Sequence, residues 1–181
     1  MISAALAVLE SEEQRNELAI FYEQNKNRFY AIAFEHLHNN EEAEDAVQEA
    51  FFHIAHNPDK FFSLTDENQL YYMSAVVRNI SVDMYNRKNK VQIVDITEDT
   101  VLLSDCDLIE NTMFDKASHT ETLSFINSLP PLQRDVLVLN CLYDMSIVET
   151  AQALNISKTA VNQRLYLARK SIKRFLLERS K

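Results

Sequence analysis

Amide and cationic side chains are concentrated in the stretch QALNISKTAVNQRLYLARKSIKRF, which runs from Gln152 to Phe175. Asparagine and glutamine can bond N6 and N7 of adenine, whereas lysine and arginine suit guanine or phosphate. Base reading is therefore the chemistry that this stretch favours, and a solvated basic helix is the alternative. The candidate base-reading face consists of Lys158, Thr159, Asn162, Gln163, Arg164 and Tyr166.

Capping and turn signals predict two helices around this face. Ser146 and Glu149 have the spacing of a capping box at the start of a short helix. Asn155 then stands where the chain must turn left-handed, a conformation that asparagine tolerates better than most residues. Ser157 follows as the N-cap of a longer helix. A helix-turn-helix, whose second helix enters the DNA major groove, fits this order and favours DNA reading over a merely solvated helix.

Charge is distributed unevenly along the chain. The net charge is −9, but residues 155–181 carry 8 basic residues and 1 acidic residue. Residues 1–60 carry 12 acidic and 4 basic residues. This asymmetry argues against a general polyanion binder, and it predicts a front end that meets a basic protein surface and a tail that meets phosphate.

An acidic face is predicted on the helix EEAEDAVQEAFFHI, which begins at Glu41. Its apolar residues recur at helical spacing and account for one side. The other side is either a solvated surface or, because an aromatic residue lies beside the acids, a protein-docking surface. That side carries Glu41, Glu44, Asp45, Gln48, Glu49 and Phe52.

A third segment, QLYYMSAVVRNISVDMYNRKNK, mixes aromatic, basic and amide residues between Gln69 and Lys90. Aromatic rings can stack on unpaired bases while cations follow the backbone of a single strand. Core tyrosines and a basic helix end are the alternative interpretation.

Composition predicts an all-α protein of two small helical domains. Glycine is absent and only 3 prolines occur, so tight β-hairpins have little material. Residues 91–119 carry 7 acidic residues and 1 basic residue without a sustained helical period, which predicts an acidic linker between domains at 1–90 and 120–181.

The sequence lacks a nucleophile or phosphate-loop motif and a ligand-like cluster, so we expect no catalytic residue, metal or cofactor. It also lacks a signal peptide or membrane span, and we expect a cytoplasmic protein.

These pieces, in this order, resemble the bacterial RNA polymerase sigma factors of the extracytoplasmic-function group. EEAEDAVQEAFFHI and YYMSAVVRNISVDMYNRKNK resemble the second conserved region of that family. The segment INSLPPLQRDVLVLNCLYDMSIVETAQALNISKTAVNQRLYLARKSIKRFL resembles the fourth region. Three residues depart from the family pattern: Tyr72 stands where the family usually has Trp, Asn155 where it has Gly, and Thr159 where a second Gly is common. The change at Thr159 bears on promoter preference.

The resemblance implies a role for each surface in promoter recognition. Core RNA polymerase would be bound through the clamp helices of its β′ subunit and its β flap, with an anti-sigma factor as a further candidate partner. Asn79 would hold a flipped base of the minus-ten element. A free-standing helix-turn-helix regulator of transcription is the alternative function. The residues implied are Asp45, Gln48, Glu49 and Phe52 for polymerase, Arg78, Arg87 and Lys88 for the backbone near the minus-ten element, and the six residues of the base-reading face for the minus-thirty-five element.

Overall fold

The computed structural model describes residues 2–89, 116–143 and 145–179, and each regular element in these ranges is an α-helix. The predicted all-α class is confirmed. In chain order the helices are α1 (Ser3–Val8), α2 (Glu12–Leu37), α3 (Asn40–His56), α4 (Pro58–Phe62), α5 (Asp66–Lys88), α6 (Lys116–Ser128), α7 (Pro131–Cys141), α8 (Ile147–Leu154) and α9 (Lys158–Arg179).

The helices form two compact units, one containing α1 to α5 and the other containing most of the later helices. Residues 91–115 of the predicted acidic linker lie outside the described residues. Helix α6 begins at Lys116, so the end of the predicted linker is helical instead.

The core of the first unit is aromatic and lies where α2, α3 and α5 meet. Phe51 on α3 is fully buried, with its ring 5.1 Å from that of Tyr22 and 5.8 Å from that of Phe29, centroid to centroid. Phe61 of α4 meets Phe21 edge to face at 5.3 Å. Edge-to-face rings of this kind add stabilisation beyond the apolar area that they bury.

Helix α3 begins and ends where local chemistry dictates. The side chain of Asn39 accepts a hydrogen bond from the backbone N–H of Glu42 at 3.0 Å, which satisfies one of the free donors of the first turn. Pro58 follows the last turn and starts α4 as its first residue, because proline is tolerated only where no intrahelical N–H is needed.

Three of the buried polar side chains of helix α5 are satisfied within the helix. The side chains of Ser74, Asn79 and Ser81 donate to the carbonyl oxygens four residues earlier, at 2.7, 3.0 and 2.8 Å. Buried polar groups without such partners are costly, so these bonds let α5 lie in the core. Tyr72 is also buried, and burial raises the pKa of its phenol. Tyr72 is therefore a core tyrosine rather than a ring for stacking on bases. Tyr85, by contrast, is 45% exposed.

The second unit packs α9 against α7 and, more lightly, α6. The inward face of α9 consists of Val161, Leu165, Ala168 and Ile172, all of which are buried. Near the end of α9 the ring of Phe175 stacks on that of Phe125, with centroids 4.3 Å apart and planes 10° from parallel.

The predicted caps at the starts of α8 and α9, and the turn between these helices, are also confirmed. Asn155 has φ 52°, in the left-handed region. The capping box closes in both directions, with 2.8 Å from Ser146 N to Glu149 Oε2 and 3.2 Å from Glu149 N to Ser146 Oγ. Ser157 Oγ accepts from Ala160 N at 3.0 Å. These local bonds fix where the two helices begin.

Replacing Asn155 tests the left-handed turn. We expect Asn155→Val to lower the free energy of unfolding by about 1–2 kcal/mol, because a branched side chain opposes positive φ. Asn155→Gly should cost far less. Urea unfolding followed by circular dichroism measures both, with Gln152→Val on the exposed face of α8 as the matched control. Equal losses at positions 152 and 155 would contradict the backbone explanation.

Candidate functional site

The predicted base-reading face lies along the first half of α9. Lys158, Asn162 and Tyr166 are exposed, and they follow each other at a spacing of four residues on one side of the helix. Thr159 and Gln163 lie beside them and are half-buried. The Nζ of Lys170 lies 5.8 Å from the centroid of the Tyr166 ring, a cation–π contact that extends the basic surface.

Arg164 differs from the exposed residues of that face because burial and a buried carboxylate both act on its charge. It is half-buried, and burial lowers its pKa while the carboxylate of Asp135 acts in the opposite direction. Asp135 lies on α7 and is fully buried. A buried carboxylate needs a compensating partner, so the charge of Arg164 helps to hold α9 against α7.

The predicted acidic face of α3 is a continuous stripe. Asp45, Glu49 and Phe52 are exposed and Gln48 is half-buried, at spacings that place the four on one side of the helix. We call these four residues the acidic stripe. Phe52 is 44% exposed and meets the ring of His56 edge to face at 4.3 Å, so an aromatic group lies at the end of the stripe.

An open groove of about 200 Å³ adjoins the acidic stripe between α2 and α3. Gln48 belongs to both. No motif or charge cluster marks the α2 side of this groove, although Tyr22, Lys26 and Tyr30 recur there at a spacing of four residues. The groove is lined by Tyr22, Lys26, Asn27, Tyr30, Glu44, Val47 and Gln48.

The cations at the end of α5 lie at the surface and bond to acids of the same unit. Arg87 Nε lies 2.9 Å from Asp83 Oδ2, and the Nζ of Lys88 lies 2.5 Å from Glu42 Oε1. Arg78 is half-buried.

Asn79 is not at the surface with these cations. It is 4% exposed, and its amide donates to the carbonyl of Ala75. A base contact by Asn79 is therefore not available in this conformation, because its amide already serves the helix backbone.

Neither a membrane span nor a metal site emerges from the described ranges. None of the helices described is both long enough and apolar enough to cross a membrane. Within residues 2–89, 116–143 and 145–179, no three His, Cys, Asp or Glu side chains gather as metal ligands.

Two family models match the chain in sequence order. The model described as Sigma-70 region 2 matches residues 21–91, which include α3 and α5 and most of α2. The model described as Sigma-70, region 4 matches residues 119–172, which include the helix-turn-helix. The two matches together cover most of the chain, which therefore belongs to the sigma-70 family. The chain is an alternative sigma factor that directs transcription initiation, and the region 2 match decides against a free-standing helix-turn-helix regulator.

Curated relatives agree with this assignment of the sigma factor. The ECF RNA polymerase sigma factor SigW of Bacillus subtilis (strain 168) is 26% identical over 161 residues, covering 83% of this chain and 84% of the relative. The ECF RNA polymerase sigma factor SigE of Mycolicibacterium smegmatis (strain ATCC 700084 / mc(2)155) is 23% identical over 158 residues. That match covers 87% of this chain and 60% of the relative.

Stability measurements can separate positioning from base reading on α9 of this sigma factor. We expect Arg164→Ala to lower the free energy of unfolding by about 1–3 kcal/mol, because it leaves the buried carboxylate of Asp135 without its cationic neighbour. Lys158→Ala is the control, since Lys158 is exposed and surface changes usually stay within about 0.5 kcal/mol. Urea unfolding measures both. Similar stability of the two variants would contradict a structural role for Arg164 and leave only the predicted contact with DNA.

Proposed function

We propose that this sigma factor docks on core RNA polymerase through the acidic stripe of α3 and reads promoter DNA through α9. The observation that carries the proposal is the exposure of both surfaces on helices whose other faces are buried. The partners would be core polymerase, at its β′ clamp helices and β flap, and promoter DNA. An anti-sigma factor with a basic or apolar face would compete for the same stripe. Because its partner would be core RNA polymerase, this sigma factor would act in the cytoplasm.

The acidic stripe suits a basic partner helix. Its two carboxylates lie beside Gln48, and Phe52 offers a large apolar contact at one end, which is the composition of a small binding centre with a polar surround. Complementary charge speeds encounter and selects the partner, whereas the aromatic contact contributes more to affinity. The groove that adjoins Gln48 would enlarge this surface on the α2 side.

The exposed face of α9 suits the minus-thirty-five element. Asn162 and Gln163 would contact base edges near the start of the helix, and Lys158 would meet guanine or phosphate. Thr159 and Tyr166 would contact the groove wall or backbone. Arg164 contributes mainly by holding α9 against α7, as its burial near Asp135 supports.

The end of α5 would serve the minus-ten element through Arg87 and Lys88, with Arg78 nearby. These cations would contact the backbone rather than read bases. We leave Asn79 out of the contact set because its amide is buried in the helix. Opening of the duplex would draw on binding energy, since unstacking costs on the order of a few kcal/mol per flipped base.

Transcription in vitro with purified core polymerase tests the function as a whole. A library of promoter fragments should yield RNA with defined start sites only when the chain is added. Failure to bind core polymerase, together with the absence of defined transcripts, would refute the proposed function.

Truncating the amides of α9 tests promoter reading. We expect Asn162→Ala and Gln163→Ala each to weaken binding to the cognate promoter by about 1–3 kcal/mol, the usual value of a specific base contact. Affinity for core polymerase should not change. Gln24→Ala, which removes the same amide from an exposed site on α2, should leave both activities intact. A parallel fall in both activities for the α9 variants would indicate misfolding rather than lost reading.

Reversing charge on α3 tests polymerase docking. We expect Asp45→Lys and Glu49→Lys each to weaken binding to core polymerase about tenfold or more, because like charges brought together at an interface cost up to several kcal/mol. Competition with a labelled wild-type chain measures the affinity. Glu35→Lys makes the same charge change on the exposed surface of α2. If Glu35→Lys weakens binding as much, net charge rather than the stripe explains the effect.

A further inference from the structure

The ammonium group of Lys88 lies against a carboxylate from another helix. Its Nζ lies 2.5 Å from Oε1 of Glu42, although the two residues are 46 positions apart in the chain. The side chain of Lys88 is 58% exposed and that of Glu42 is 28% exposed, so the pair lies at the edge of the contact between α3 and α5. A phosphate that approached Lys88 would meet the carboxylate of Glu42 in the same place.

Both members of this pair are held by their helices. The backbone N–H of Glu42 donates to the Asn39 cap at 3.0 Å, and the position near the start of α3 favours a negative charge. Lys88 is the last residue of α5, where the helix dipole favours a positive charge. The burial that packs α3 on α5 thus brings oppositely charged helix ends together.

The neighbouring cation shows the same arrangement. Arg87 bonds to Asp83 one turn earlier through Nε at 2.9 Å and through its terminal nitrogen. That hydrogen bond is the main reason why the pKa of Arg87 is raised, and the negative charge of Glu49 acts in the same direction. Acids therefore accompany both cations that end α5.

We propose that Glu42 is a positioning residue that occupies Lys88 in place of a DNA phosphate until a bound strand displaces it. The inference rests on the proposed function, in which Lys88 contacts the DNA backbone. An exposed ion pair is weak and is screened by salt, so a phosphate held by other contacts can replace the carboxylate at small cost. A strand that makes few other contacts gains less from Lys88, which lowers indiscriminate binding to nucleic acid.

The test uses the full-length chain and a fluorescein-labelled single strand of twenty thymidines, with fluorescence anisotropy at low ionic strength. We expect Glu42→Gln to tighten binding about two- to fivefold, the range that an exposed ion pair allows. Glu41→Gln is the matched control, because it removes the same charge from an adjacent, exposed position of the same helix. It should tighten binding less than Glu42→Gln does.

The Lys88→Gln background separates a specific effect from a general change in charge. In that background, Glu42→Gln should tighten binding to the labelled strand no more than Glu41→Gln does. If Glu42→Gln still tightens binding more, the inference is overturned. Equal effects of the two glutamate variants in the wild-type background would also overturn it.

Lys88→Gln alone tests the proposed DNA contact separately. It should reduce the slope of log affinity against log salt by about 0.7, the value for one single-strand phosphate contact. An unchanged slope would refute that contact and the inference with it. A reduced slope combined with equal glutamate variants would refute the inference alone.

Discussion

The packing of Phe51 against the aromatic rings of α2 determines which side of α3 meets solvent. Phe51 is fully buried and touches the rings of Phe21, Tyr22 and Phe29, and Ala46 and Ala50 on the same side are small enough to let the helices approach. Because one face of α3 is fixed in the core, the residues on the opposite face must lie at the surface. The acidic stripe therefore points outward because of residues on the opposite face of α3, and a change at Phe51 would disturb the proposed docking without altering the stripe itself.

In the helix-turn-helix, hydrogen bonds between residues close in sequence determine how α9 is presented. The capping box at Ser146 and the cap at Ser157 fix where α8 and α9 begin, and the left-handed Asn155 sets the turn between them. Apolar residues then hold α9 on α7, and the buried carboxylate of Asp135 on α7 acts on the charge of Arg164. A protein without glycine can still build this turn, since asparagine pays the smallest penalty for positive φ among the non-glycine residues.

Local signals in the sequence predicted local structure well and long-range contacts poorly. The caps and the turn at Asn155 depend on residues within a few positions of each other, so their spacing revealed them. The burial of Asn79 depends on how α5 enters the core, and the contact of Gln69 with Glu17 at 3.1 Å joins residues 52 positions apart. Likewise, Arg164 belongs to the basic face by sequence, but its burial, together with the charge of Asp135 on another helix, sets its environment. Helical periodicity carries no information about such partners.

The same limit explains why charge counts alone mislead at the end of α5. By sequence, Arg87 and Lys88 form a basic cluster suited to phosphate, yet Asp83 and Glu42 already bond to them. The first unit can therefore be strongly acidic and still carry a surface for DNA, provided that each cation can exchange its carboxylate for a phosphate. That exchange is feasible because the pairs are exposed, where solvent keeps ion pairs weak. Buried pairs of the same geometry would hold their cations too firmly for a phosphate to compete. The exposure of these pairs is thus what would keep the end of α5 available to DNA in the proposed function.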